Sequence, residues 1–248
     1  MNQTAIVIPS AGRADMVTTA ITGQILYVPE SEADSYRASN PATAIDTHPD
    51  AQFRNLAEKR QAIYERWGSV FMADDDIAFV SRLYREGNNR DEHLTPDEIA
   101  DLIHATADTA ARAGCYLYGF NATPNAKHYY PHKPIELTSY INACAFGLHP
   151  SPSLYFTNRT TAAESHWINL LNAYAHRKAW VDMRFHFAQQ PNSTFFRPGG
   201  QAKHRTLESE KADTIFLRRM FGQAIRTKRT RGDAEKIHPY QRTIHNPL

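Results

Sequence analysis

Three aspartates in a row, Asp74-Asp75-Asp76, follow directly on the apolar run Ser69-Val70-Phe71-Met72-Ala73. Such a run reads as a buried strand. A strand that leaves the core and delivers three carboxylates at one point concentrates negative charge, which is unfavourable without a positive partner. A hard divalent cation is the natural partner, because Mg²⁺ and Mn²⁺ prefer oxygen ligands and bridge carboxylates to phosphates. Side chains alternate along extended chain. Asp74 and Asp76 therefore project the same way and are the better candidates for a shared site, one holding the ribose or the sugar and the other the metal. The same triplet on a solvated turn or at a helix start needs no cation, and its place after a buried strand favours the functional reading.

The rest of the chain supplies an alternating α/β frame. Ala5-Ile6-Val7-Ile8 reads as a first strand, breaking into the turn-forming loop Pro9-Ser10-Ala11-Gly12-Arg13. Ile25-Leu26-Tyr27-Val28 reads as a second strand, with a helix near Ser31 to Arg37. Residues 52–67 have helical spacing in Phe53, Leu56, Ala57, Ile63, Tyr64 and Trp67, and Gly68 ends them. Arg60 falls on that apolar stripe, where a charge needs a partner. Thr95, Pro96 and Glu98 form a capping-box start for a helix that Gly114 stops. Strands are expected at 115–120 and 139–147. A helix is expected near 162–177 with Ile168, Leu171, Tyr174 and Ala175 inward, and another over 208–225. Alternation of this kind predicts a mostly parallel central sheet flanked by helices. Ligands gather at the carboxyl ends of such strands, where both Pro9–Arg13 and Asp74–Asp76 lie.

Composition narrows the class. With 248 residues and 42% hydrophobic content the chain can bury a real core. A net charge of +2 demands no polyanionic partner. Basic residues do cluster locally: Arg218, Arg219, Arg226, Lys228, Arg229 and Arg231 occur with no acid until Asp233, a clustering that suits a phosphate backbone and equally a solvated face or a flexible tail. A loop with Lys127, His128, Tyr129, Tyr130, His132 and Lys133 mixes cations with aromatic faces, a combination that suits nucleic acid and equally an ordinary surface loop. Cys115 and Cys144 form no CxxC pair, which argues for a reducing, cytoplasmic setting. No signal peptide or membrane-spanning run is apparent. There is no P-loop, GxGxxG, HExxH or GxSxG.

The stretch Arg54-Asn55-Leu56-Ala57-Glu58-Lys59-Arg60-Gln61, followed by Ser69 to Asp76, resembles the GT-A glycosyltransferases. In these a helix bearing Arg or Lys precedes a strand ending in a DxD-type motif. Ile6 to Arg13 resembles their first strand and nucleotide loop, and Ile25 to Val28 their second strand. Within that group the chain is similar to the TET-associated glycosyltransferases of phages, over about residues 4–225, with Gly199-Gly200 part of the likeness. The resemblance implies a GT-A fold in a single domain over 1–225. Residues 1–90 would bind the sugar nucleotide, 91–225 would bind the acceptor, and 226–248 would form a basic tail.

It also implies roles. Pro9, Ser10, Gly12 and Arg13 would line the nucleotide, with Arg60 reaching the base or the diphosphate and Asp75 in the same site. Asp74 and Asp76 would hold the sugar nucleotide and Mn²⁺ or Mg²⁺, with His204 as a late metal ligand. Glu164 would act as general base, with Asp76 beside it in catalysis. Glu164 stands between Ala163 and Ser165, a departure from the acidic pair common in the family. Lys127, Tyr129, Tyr130, Lys133, Arg226, Lys228 and Arg229 would meet DNA. The expected donor is a nucleoside diphosphate sugar, with UDP the expected nucleotide, and the expected acceptor is a hydroxymethylated pyrimidine in DNA. Two rival readings share these features: a sugar-phosphate nucleotidyltransferase, and a non-catalytic nucleic-acid-binding module. Arg13 and Arg60 as plain ion-pair partners, Glu164 as a helix-start acid and His204 as a surface histidine are the structural alternatives.

Overall fold

The computed structural model describes residues 3–84, 93–125, 127, 129–190, 206–227 and 242–245. Its centre is an eight-stranded sheet in the order β3-β2-β1-β4-β8-β6-β9-β7. The strands are β1 (Ala5–Pro9), β2 (Ile25–Pro29), β3 (Ala44–His48), β4 (Val70–Ala73), β6 (Leu117–Phe120), β7 (Ile135–Glu136), β8 (Ala145–Leu148) and β9 (Trp180–Asp182). Pairs β1–β2, β2–β3, β1–β4 and β6–β9 are parallel, whereas β8 runs against both β4 and β6. Two smaller ladders accompany the sheet: β5 (Ile77–Arg82) with β10 (Phe185–Gln189), and β11 (Ile225–Thr227) with β12 (Arg242–Ile244).

Period-two alternation sorts each central strand between two cores. Ile6, Ile8, Phe71 and Ala73 face one side, with Tyr36 of α1 (Ala33–Ser39) and Ile99, Ile103, Ala107 and Ala110 of α3 (Pro96–Arg112). Val7, Val70 and Met72 face the other, with Ala57, Ile63 and Tyr64 of α2 (Leu56–Trp67) and Ile168 of α4 (Glu164–His176). The result is a three-layer α/β/α body. Both cysteines are buried and free.

Helix boundaries follow local chemistry. The Asn55 side chain accepts from Glu58 N, so α2 starts at Leu56, four residues later than its apolar spacing suggests. The Thr95–Glu98 capping box starts α3 as expected. A second box, Thr206 with Ser209, starts α5 (Leu207–Phe221). In α4 the expected inward face is corrected in part: Ile168 is buried and Leu171 packs against the core as expected, whereas Tyr174 and Ala175 are exposed. Trp167, Leu170 and Ala173 also point inward. The strand expected over 139–147 is confined to 145–148, because residues 137–144 run as a bent loop.

Gly147 in β8 lies opposite Tyr118 of β6. A Cβ there would come within 1.9 Å of the Tyr118 ring. Tyr118 is fully buried, so its ring has nowhere to move. Gly147→Ala is expected to lower stability by about 1–3 kcal/mol, the usual cost of overpacking. A urea titration reads this directly, and an unchanged midpoint would show that the ring can yield.

Candidate active site

β1 and β4 are parallel neighbours, so Pro9 and Ala73 bring the two candidate segments to the same rim of the sheet. Alternation groups Asp74 with Asp76, as expected, and parts Asp75 from them. Asp75 turns toward the first loop. It accepts from Ser10 Oγ, and its Oδ1 is 3.0 Å from Arg13 Nη1. The Ser10 hydroxyl also lies 2.7 Å from the Tyr36 hydroxyl, and Lys59 Nζ donates to Ser10 O at 2.8 Å. Gly12 takes φ 67°, a left-handed conformation suited to glycine, and its N–H donates to Glu32 Oε2 at 2.6 Å. Pro9, Ser10, Gly12 and Arg13 thus form one braced loop, with Asp75 as its main brace.

Asp74 and Asp76 turn the other way and meet at one atom. The Gln189 amide nitrogen donates to Asp74 Oδ2 and to Asp76 Oδ1, each at 3.1 Å. Gln189 ends β10, and Gln190 N donates to Asp76 O at 2.8 Å, so the β5–β10 ladder closes over the triplet. Thr19 supports it from behind, donating to Asp74 O and accepting from Ile77 N.

Arg60 is almost fully buried, at 1% exposure. Its Nη2 lies 2.8 Å from Asp74 Oδ1 and 3.0 Å from Ala143 O, and its Nη1 lies 3.2 Å from Glu164 Oε1. Its guanidinium also sits over the Phe146 ring at 5.1 Å. The charge on the apolar stripe therefore has partners, and they are two of the expected site carboxylates. Both terminal nitrogens of Arg60 are engaged by those groups, and the buried Nε has no hydrogen-bond partner among the described residues. Glu164, the first residue of α4, joins Asp74 through this one guanidinium.

Electrostatics follow from this crowding. Desolvation pushes the Asp74 carboxyl up to about 7; Arg60 opposes this, and Asp76, Asp75 and Glu164 add to it. Desolvation likewise holds Lys59 down at about 7, against the pull of Glu32 and Asp75. Desolvation also raises Asp75, with Ser10 and Arg13 opposing.

Among the described residues, no three His, Cys, Asp or Glu side chains gather as a metal-holding set. Asp74 and Asp76 converge on a single amide N–H₂ group, a partial positive charge where a cation would fit. Two carboxylates suit a hard cation that takes its other oxygens from a diphosphate and water. The residues present therefore fit such a cation.

The remaining expected positions are dispersed. Lys127 and Tyr130 are exposed, Tyr129 is half-buried, and Lys133 pairs with Glu136 at 2.9 Å. Arg226 is exposed on β11. His204, Gly199, Gly200, Lys228, Arg229 and Arg231 lie outside the described residues. Gln189, Lys59, Glu32, Tyr36 and Thr19 are new to the site. Lys59 carried a signal, a cation one residue from Arg60 near the start of α2. Gln189 carried none, since the β5–β10 pairing alone brings it there. No helix among the described residues is long and apolar enough to cross a membrane.

No curated protein matches the chain. Among solved structures, S. aureus TarS 1-349 is 8% identical with a TM-score of 0.49, covering 90% of this chain and 72% of its own. A UDP-glucose pyrophosphorylase complexed with UDP-glucose is 6% identical, with a TM-score of 0.43 and coverage of 88% and 99%. A CMP:2-keto-3-deoxy-manno-octonic acid synthetase complexed with CTP is 12% identical, with a TM-score of 0.40 and coverage of 88% and 100%. These likenesses are too distant to carry an argument. The sequence pattern of the TET-associated glycosyltransferases, by contrast, matches residues 4–195, most of the chain. The chain belongs to the TET-associated glycosyltransferase family.

Proposed function

We propose that this glycosyltransferase moves a sugar from a nucleoside diphosphate sugar, most naturally a UDP-sugar, to the hydroxyl of a 5-hydroxymethylpyrimidine in DNA. The observation that carries the donor half is the convergence of Asp74 and Asp76 beside the braced Ser10–Arg13 loop, at the rim shared by β1 and β4. That loop offers backbone and side-chain groups to the nucleotide. Asp74 and Asp76 would hold Mn²⁺ or Mg²⁺, which when bound neutralises charge on the diphosphate leaving group. Arg60 orients Asp74 and Glu164 from below. Glu164 is the candidate base: it takes the proton of the attacking hydroxyl as that oxygen bonds to the anomeric carbon and the bond to the diphosphate breaks. A base inside a duplex has to leave its stack to reach such a site. Exposed Lys127 and Tyr130, with Arg226, are candidate contacts for the DNA.

The test is incubation with a panel of sugar nucleotides, Mn²⁺ and hydroxymethylated DNA, followed by digestion and mass measurement of the nucleosides. The expected result is a nucleoside heavier by one sugar. Pyrophosphate release from a nucleoside triphosphate and a sugar phosphate would point instead to nucleotidyl transfer. Salt-sensitive DNA binding indifferent to sugar nucleotide and metal would point to a binding module.

Proton and cation compete for the same carboxylate. Asp74 holds its proton to about 7 when folded and to about 4 when unfolded. Its contribution to the stability of the metal-free protein is therefore present at low pH and lost as pH rises from about 4 to about 7. Stabilisation by added Mn²⁺ should grow over the upper part of that range. Melting curves with and without Mn²⁺ at about pH 6 and about pH 8 measure it. An equal shift in melting temperature at both would count against Asp74 as a ligand.

A further inference from the structure

Helix α4 begins without a local cap. Its N-cap residue is Ala163, whose side chain accepts nothing, yet the next residue is Glu164. The side chains that hold the preceding loop, one accepting and one donating, come from elsewhere in the chain. Asp213 of α5 receives the Thr161 N–H at 2.9 Å on one carboxylate oxygen and the Ala162 N–H at 2.8 Å on the other. Arg242 of β12 reaches Ala162 O at 3.5 Å with one guanidinium nitrogen, which also lies 2.9 Å from Glu210 Oε2. The other terminal nitrogen donates to Glu210 O and Thr214 Oγ1, each at 3.1 Å. Asp213 is 1% exposed and the Arg242 side chain 2%. Charges this deeply buried are costly unless well partnered, and here they grip both the N–H and C=O groups of one short loop.

Apolar packing seats the same latch. Trp167 of α4 stacks on Phe216 of α5, with centroids 5.5 Å apart and planes at 16°. Ala163, Leu170, Leu217 and Ile225 close around them, with Ile244 of β12 against the cluster. None of α5, β11 or β12 falls within residues 4–195, the part matched by the family pattern.

We propose that α5, β11 and β12, which lie beyond the family-matched region, are a built-in latch for the acceptor side of the site. In it Asp213 and Arg242 are positioning residues that fix loop 160–163 and so set the Glu164 carboxylate against Arg60. The functional half rests on the reading of Glu164 as the base. The geometric half does not.

Two measurements on the full chain separate these halves. The first is site-resolved amide exchange by NMR in Asp213→Ala, Asp213→Asn and Arg242→Met. Exchange at Thr161 and Ala162 is expected to speed up tenfold or more in Asp213→Ala, and less in Asp213→Asn, which keeps one acceptor oxygen. Amides of β1 and β4 should be unchanged. The second is turnover with the UDP-sugar of the panel that reacts and hydroxymethylated duplex DNA, expressed per donor-binding site. Turnover per site is expected to fall about tenfold or more while the donor KM stays the same, because a small misplacement of a reacting group is expensive. A merely structural role would lower the number of donor-binding sites and leave turnover per site intact. Unchanged amide exchange, or unchanged turnover per site with altered exchange, would overturn the proposal. Full activity in Glu164→Gln would instead remove the base reading, with the exchange result still deciding whether the latch exists.

Discussion

Arg60→Met is expected to destabilise the fold by about 3–5 kcal/mol, the usual cost of removing one partner from a buried ionic cluster. Met matches the arginine stem in bulk, so the packing against Phe146 largely survives. What is lost is the only described cation shared by Asp74 and Glu164, and a donor to Ala143 O. Two carboxylates would then face each other in a desolvated pocket. Asp74, already pushed up by desolvation and no longer opposed by Arg60, would hold its proton more strongly, so the defect should shrink as pH falls. Urea unfolding at neutral and mildly acidic pH measures both effects. Adding Asp74→Asn and Glu164→Gln to Arg60→Met should recover part of the loss, because neutral groups tolerate the burial better. A loss under about 1 kcal/mol for Arg60→Met would show that the cluster is more solvated than its geometry indicates.

Asp76→Asn should leave stability within about 1 kcal/mol and still remove about 10²–10³-fold of the turnover, the range seen when one group is taken from a charge-stabilising site. Asparagine keeps an oxygen for the Gln189 amide, so the hydrogen bond that closes the β5–β10 ladder over the triplet can persist. It cannot supply the negative charge. Single-turnover assays at saturating Mn²⁺ separate a chemical defect from a weakened affinity for metal. Activity close to that of the unaltered protein would remove Asp76 from both the cation site and the reaction. The matching change at Asp75 should behave differently. Asp75 braces Ser10 and Arg13, so Asp75→Asn is expected to show chiefly in donor KM.

The strands that build the rim were readable because their residues are apolar on both faces. Ile6, Val7 and Ile8, and Val70, Phe71 and Met72, leave little choice but a buried parallel sheet. The capping chemistry at Thr95 was equally plain. Arg60 announced a partner by sitting on an apolar stripe, and alternation alone grouped Asp74 with Asp76. Other features were hidden because their signals are not local. β3 contains Asp46, Thr47 and His48, as an edge strand can, and it lacks an apolar run. β5 and β10 make sense only as partners, more than a hundred residues apart, and Gln189 enters the site only through that pairing. The inward face of α4 was legible only in part: Ile168 and Leu171 pack as expected, but α5 covers Trp167 and Leu170, and nothing within 162–177 reveals where that neighbour lies.

The reversed direction of β8 has a bearing on how this protein can diverge. Its opening end comes to the rim where β4 finishes, so two peptide oxygens, from Ala143 and Cys144, hold Arg60 and the Asp74 N–H. Any amino acid at position 143 brings the same oxygen. Descendants can therefore exchange that side chain freely and keep the arginine anchored, and an aligned set of relatives would show variation at a spot the architecture depends upon.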